Sequence, residues 1–360
     1  MPKHRFNINL GFVSYFISNA MKKVLFLISG IFICLTSLTN PAKAQTITIL
    51  QQDKPTSIRG LSVVNDKTAW ISGSKGYIAK TADGGKTWTW QQVKGYEKSD
   101  FRDIEAFSDQ EAIIMSSGSP SYILKTKDGG LTWQEKYQKT DTTYFLDAMD
   151  FADRRHGYIL GDPINNKFLL LETKDGGETW AESTNPPEAL PGEAAFAASG
   201  TCLRVLESGT IYVASGGKSS RLISLSNGSS QWNYANLPIS QGKSSEGAFS
   251  LSTGKNESII VGGDYANDKK TDSVAAIQTS ANTAVFVLTK GGPQGFQSSV
   301  EYLGGHIFLS TGTPGSNITT DGGQTWRQID TTSFNVCRKA KHGKLVLLAG
   351  NGGKIALFKM

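Results

Sequence analysis

The sequence predicts an all-β protein, a seven-bladed β-propeller, from three observations. One octet recurs four times: Thr81-Ala-Asp-Gly-Gly-Lys-Thr-Trp88, Thr126-Lys-Asp-Gly-Gly-Leu-Thr-Trp133, Thr173-Lys-Asp-Gly-Gly-Glu-Thr-Trp180 and Thr319-Thr-Asp-Gly-Gly-Gln-Thr-Trp326. Short alternating apolar runs separated by Asn, Asp and Gly fill units of about 42 to 52 residues, the size of a four-stranded blade. No helix of three turns is legible beyond the N-terminal region.

Each octet reads as a hairpin between the third and fourth strands of a blade. Asp-Gly-Gly supplies the positive-φ positions of a tight turn, and the Asp can accept backbone hydrogen bonds within it. The flanking Thr and Thr-Trp are strand residues, with the indole packed under the turn. Asp83, Trp88, Asp128, Trp133, Asp175, Trp180, Asp321 and Trp326 are therefore expected to be structural.

Residues 1–44 read as an export leader. Met21-Lys-Lys23 is basic, 24–38 is apolar, and Ala42-Lys-Ala44 is a small-residue cleavage signal before Gln45. Residues 1–20 read as a long basic region or an upstream start. The apolar run is short for a membrane span and is broken by Ser29, Gly30, Thr36 and Ser37. Cys34 lacks the small residues that a lipoprotein signal places before its cysteine. A secreted or periplasmic protein, 45–360, is expected, with no transmembrane segment after processing and a monomeric state.

The leader holds Lys3, Arg5, Lys22, Lys23 and Lys43 and no acid, so the mature chain carries 6 − 5 = +1. That balance gives no support to nucleic-acid binding. Only Cys202 and Cys337 remain, too few for a disulfide framework, and the blade assignment separates them across the channel as free, buried thiols.

The blades follow in order. The first three pair 58–64 with 69–73, 101–107 with 112–116, and 145–151 with 157–161, each ahead of an octet. A fourth, with a drifted octet, is built from 201–206, 209–215, 221–224 and a turn ending at Trp232. A fifth takes 248–251, 258–261, 273–277 and 284–288; six blades is the alternative if this unit is an insertion. The sixth is 296–330. The seventh supplies three strands within 334–359, and 46–50 is expected to provide the fourth, closing the ring and removing exposed edges.

Chain direction sorts the loops. The octets fall on one face; inner-strand starts and the loops between second and third strands fall on the other. Aligned by repeat, the inner-strand starts read Arg59, Arg102, Leu146, Thr201, Ala248, Ser298 and Asn335, followed by Gly60, Asp103, Asp147, Cys202, Phe249, Ser299 and Val336. Asp162, Lys218, Arg221, Asp264 and Tyr265 join from the second-to-third-strand loops. Paired guanidiniums at such a mouth can grip a carboxylate, sulfate or acidic peptide. Alternatively, Arg59 and Arg102 pair with Asp103 and Asp147 across adjacent blades and tighten the ring.

The octet is the Asp-box, or bacterial neuraminidase repeat. The chain resembles sialidases in this motif alone: no F/Y-R-I-P segment is present, and no third Arg falls in register. Other glycoside hydrolysis stays open through Asp103, Asp147, Asp162 and Asp264. G-x-S-x-G is absent. His156, His306 and His342 show no metal-ligand spacing, and Gly350-Asn-Gly-Gly353 precedes no helix that could cradle phosphate. No cofactor, metal or catalytic residue is expected.

Ser57-Ile-Arg-Gly60, Phe101-Arg-Asp-Ile104 and Met149-Asp-Phe-Ala152 leading to His156-Gly-Tyr-Ile-Leu-Gly161 resemble the exported propellers of the photosystem II stability and assembly factor type. The likeness covers nearly the whole mature chain, with blades four and five departing from the pattern. It implies a non-catalytic scaffold whose basic patch spans neighbouring blades, with Arg59 and Arg102 at the matching positions. A binding propeller that engages a protein or an acidic glycan is the leading functional expectation; a glycan-cleaving hydrolase is the alternative.

Overall fold

A computed structural model describes residues 45–255, 257–278 and 285–360. The expected leader and Ala284 lie outside them. Seven antiparallel sheets follow one another along the chain, six of four strands and one of six. The fifth unit is thus a blade and not an insertion. Among the described residues the only helical element is a single 3-10 turn, Tyr265–Asn267.

The burial gradient across each blade follows from the ring. Inner and second strands, such as Ile58–Val63 and Ala69–Gly73, are apolar and buried because each sheet packs face to face against its neighbours. Ile58, Leu61 and Ile71 of blade one share a core with Val336, Leu347 and Ile355 of blade seven. Outer strands read differently. Gln134–Lys139 is a polar, lysine-bearing edge, the composition that discourages pairing with another chain. Blade seven is completed by Thr46–Gln51, which pairs antiparallel with Lys354–Lys359, as the sequence predicts.

Side chains on the inner strands tie each blade to the next. The Ser62 hydroxyl accepts the Ala106 amide (3.1 Å), Asp103 the Met149 amide (2.8 Å) and Asp150 the Val205 amide (2.7 Å). The Thr201 hydroxyl donates to Ser250 (2.6 Å), which accepts the Val300 amide (2.9 Å), and Ser299 accepts the Cys337 amide (3.2 Å). Asn335 Nδ2 donates to the Ile58 carbonyl (2.8 Å) and returns the circuit to blade one. Inner-strand amides that face a channel lack a ladder partner on that side, and these short polar side chains satisfy them.

The octets form the expected locked hairpins. In the first, the Thr81 hydroxyl donates to Asp83 Oδ1 and accepts the Gly85 amide, both at 2.9 Å, while Asp83 accepts the Thr87 amide (2.9 Å) and hydroxyl (2.7 Å). The other three repeat this pattern. The Thr hydroxyl and amide hold the carboxyls of Asp83 and Asp128 down to about 2. Gly84 donates to the Lys67 carbonyl in the turn between first and second strands, which fixes the octets on the face away from the inner-strand starts. Two indoles, Trp88 and Trp326, bond the carbonyl of their own turn; Trp133 and Trp180 pack edge-on against Trp70 and Phe151 instead.

Two features depart from the sequence expectation. Blade five carries two extra strand pieces, Glu193–Ala194 and Gly216–Gly217, which link it to the connection before blade four. The repeat alignment also slips by one in blades three and five. The inner strands bulge between Ile58 and Gly60, Phe101 and Asp103, Leu146 and Ala148, and Ala248 and Ser250. The bulged residues, Arg59, Arg102, Asp147 and Phe249, are the equivalent ones. Leu146 and Ala248 are buried partners of the second strand, aligned with Ile58 and Phe101. A bulge re-aims one side chain without altering apolar alternation elsewhere, so pattern alone misplaces it.

Candidate functional site at the channel mouth

Arg59, Arg102 and Asp147 thus stand at the same height on three consecutive blades. Arg102 donates to Asp100 Oδ2 (2.7 Å) and to the Ala197 carbonyl (3.3 Å), with its guanidinium 5.7 Å from the Phe145 ring centre. Arg59 is half-buried, and among the described residues it makes no hydrogen bond or ion pair. Burial, and then the charge of Arg102, depress its pKa, with Asp100 opposing. A desolvated guanidinium beside a second one is an electrostatic deficit that an anion would relieve.

The proposed ring-tightening pairs do not form as ion pairs. Asp103 is buried and spends its oxygens on the Ile104 and Met149 amides, so it joins blades two and three through the backbone. Burial pushes it up to about 7, against the pull of Arg338 and those amides. Asp147 is buried, with one carboxyl oxygen lacking any hydrogen-bond partner among the described residues. Burial and then the neighbouring Asp162 raise it well above the carboxylate range, although Arg102 and the Ala197 amide pull the other way. Asp162 is raised by burial and accepts the Ala195 amide at 3.2 Å.

A strap unforeseen from sequence crosses this site. Residues 193–200, Glu-Ala-Ala-Phe-Ala-Ala-Ser-Gly, run from blade three toward blade four as a short strand, Glu193–Ala194, that leads into a turn at 197–198, with Ala195, Ala197 and Ser199 buried and Ala194, Phe196 and Ala198 half-exposed. The strap is held by Asp162 and Arg102 at its middle, while the Ser199 hydroxyl donates to the Ser298 carbonyl of blade six at 2.7 Å. Gly200, at φ +68°, passes so close to Asp103 that a Cβ would lie 2.1 Å from its carboxyl oxygen. The only sequence signal was an unusually long connection of small residues around one phenylalanine.

The remaining predicted residues fall in two groups. Arg221 is buried, clamping Glu193 at the strap's foot (Nε to Oε1, 2.8 Å), and its Nη2 also donates to the Glu188 carbonyl. Lys218 is exposed beside Gly192. On blade five, Asp264 is buried and caps the 3-10 turn through the Ala266 amide. Burial raises it, but the Ser245 hydroxyl, that amide and Lys243 outweigh the effect and leave it below its ordinary value. Tyr265 is 53% exposed and meets Phe249 and Phe296 edge-on. Sequence reading missed Asp100, Phe145, Phe196 and Phe296.

Cys202 and Cys337 are free and buried, and burial pushes Cys337 up to about 12. Among the described residues no cluster of His, Cys, Asp or Glu could hold a metal ion, and no helix is long and apolar enough to cross a membrane.

Residues 40–137, through most of blade two, match the family described as photosynthesis system II assembly factor YCF48. A structure described as YCF48 bound to D1 peptide superposes with a TM-score of 0.64 at 16% identity, covering 89% of this chain and 96% of that one. YCF48 from Cyanidioschyzon merolae gives 0.61 at 14%, covering 87% and 98%. Virginiamycin B lyase from Staphylococcus aureus gives 0.63 at 10%, covering 88% and 99%. No curated protein matches. The chain is an Asp-box propeller similar to the photosystem II assembly-factor type. The same architecture also carries a lyase, so activity has to be argued from the site.

Proposed function

We propose that this protein is an exported, non-catalytic binding propeller that engages a polypeptide partner at the strap-bearing mouth, with Arg59 and Arg102 receiving an acidic group. The observation that carries this reading is Arg59: desolvated, beside a second arginine, and without a partner among the described residues. A related propeller has been solved with a peptide bound, which supports a polypeptide as the class of guest. Export rests on the leader-like 1–44.

Hydrolysis is disfavoured by access. Asp147 and Asp162 are neighbours, yet Asp147 is 1% exposed beneath the strap, and a buried carboxyl cannot meet a glycosidic bond.

The test is capture of partner from an envelope extract by the protein and by Arg59→Ala and Arg59→Glu variants. Capture is expected to fall at least about tenfold with Ala and further with Glu, at unchanged melting temperature. Equal capture by all three, or turnover of a chromogenic glycoside by the purified protein, would overturn the reading.

A further inference from the structure

An aromatic cluster lies on the strap next to the arginine pair. Phe196 is seated on backbone: a Cβ on Gly216 or Gly247 would come within 2.4 or 2.6 Å of its ring, so glycine at both positions is what lets the ring lie flat. Its other contact is Phe249, stacked at 3.7 Å between ring centres and 12° between planes. Phe249 is itself buried, flanked edge-on by Phe296 at 4.7 Å and Tyr265 at 6.1 Å. Only Phe196 and Tyr265 reach solvent, and Tyr265 is held outward by a 3-10 turn that Asp264 caps.

The strap sets the scale of this arrangement. Phe196 belongs to the aromatic cluster, and the next residue, Ala197, gives its carbonyl to Arg102. Consecutive Cα atoms are about 3.8 Å apart, so the apolar shelf and the Arg102 guanidinium are neighbours on one surface. The strap is itself a stretch of polypeptide lying at the mouth, with alternate side chains buried.

We infer that Phe196 and Tyr265 form a second subsite, which takes an apolar or aromatic side chain from a partner polypeptide whose acidic group sits at Arg59. The inference rests on the peptide-binding reading above and specifies the chemistry of its guest. Charge complementarity selects the acidic neighbour, and the exposed tyrosine ring supplies a rigid face that is already ordered before binding.

Two fluorescein-labelled octapeptides test it by anisotropy: one of Glu and Gly only, and one in which two central Gly are replaced by Leu. The Leu peptide is expected to bind about tenfold more tightly. Tyr265→Ala should remove most of that gain and Tyr265→Phe should keep it, while Arg59→Ala weakens both peptides by the same factor. Equal affinity for the two peptides, with the Arg59 effect intact, would overturn the shelf and leave the arginine reading standing. Binding of neither peptide, or binding indifferent to Arg59, would overturn both. Tighter binding of an oligogalacturonate, sensitive to Tyr265→Ala, would replace the polypeptide with an acidic glycan.

Discussion

Asp103 of blade two accepts the Met149 amide of blade three at 2.8 Å while its second oxygen takes the Ile104 amide at 2.8 Å. Its folded pKa of about 7 lies above the ordinary aspartate value of about 3.9, so in that interval the folded protein binds more protons than the unfolded one. The stabilisation is complete below the lower value and is lost as pH rises through the upper one. The melting temperature is therefore expected to fall between about pH 4 and pH 7, by at most about 1.4 kcal/mol of stability per unit from this group. Asp103→Asn keeps an acceptor for Met149 and should flatten the slope in part, because Asp147 and Asp162 are shifted in the same direction. A slope identical in the variant would refute the assignment.

Gly177, the second glycine of the third octet, adopts φ +81°, and a Cβ there would lie 2.4 Å from Ile113 Cδ1 of blade two. The octet thus braces the preceding blade as well as closing its own hairpin. Gly177→Ala combines left-handed strain with a core collision and is expected to cost about 2 to 4 kcal/mol in chemical denaturation. Gly95→Ala, at φ +87° with open space around its Cβ position, should show the smaller cost of strain alone.

The architecture was legible because it repeats. Four octets fixed the hairpins, and apolar alternation fixed the strands, including the closure by Thr46–Gln51. The mouth was only half legible. The repeat alignment puts Arg59 and Arg102 at equivalent positions, but it sets both Asp147 and Phe249 one position past theirs, level with Gly60 and Asp103, because a bulge leaves no trace in hydrophobic pattern. The strap was missed for another reason. Ala195 is placed by Asp162, and Ala197 by Arg102 and Asp147, residues distant in sequence, and no local propensity encodes such contacts.

Arg221 and Glu193 form a bidentate pair with side-chain exposures of 8% and 0%, and Glu193 also accepts the Leu190 amide and the Ser215 hydroxyl. The pair anchors the foot of the strap on blade four. Arg221→Met would leave a buried, uncompensated carboxylate and is expected to destabilise by about 3 to 5 kcal/mol. Adding Glu193→Gln should restore a large part of the loss. If the second substitution makes matters worse by its full single-mutant cost, the two residues do not act as a pair.

Gly200 and Asp103 couple the strap to the ring. A methyl group at Gly200 would fall 2.1 to 2.4 Å from the Asp103 carboxyl, displacing it from the Met149 amide, and φ +68° adds left-handed strain. Gly200→Ala is expected to lower stability by about 2 to 4 kcal/mol. In an Asp103→Ala background the collision disappears and only the strain remains, so the two substitutions should be non-additive by about 1 kcal/mol or more in a double-mutant cycle. Because Gly200→Ala also moves Asp103 away from its amide donors, the pH interval over which stability declines should shift in that variant. Additive costs with an unchanged pH profile would mean that the strap rests on the mouth without governing the bond that joins blades two and three.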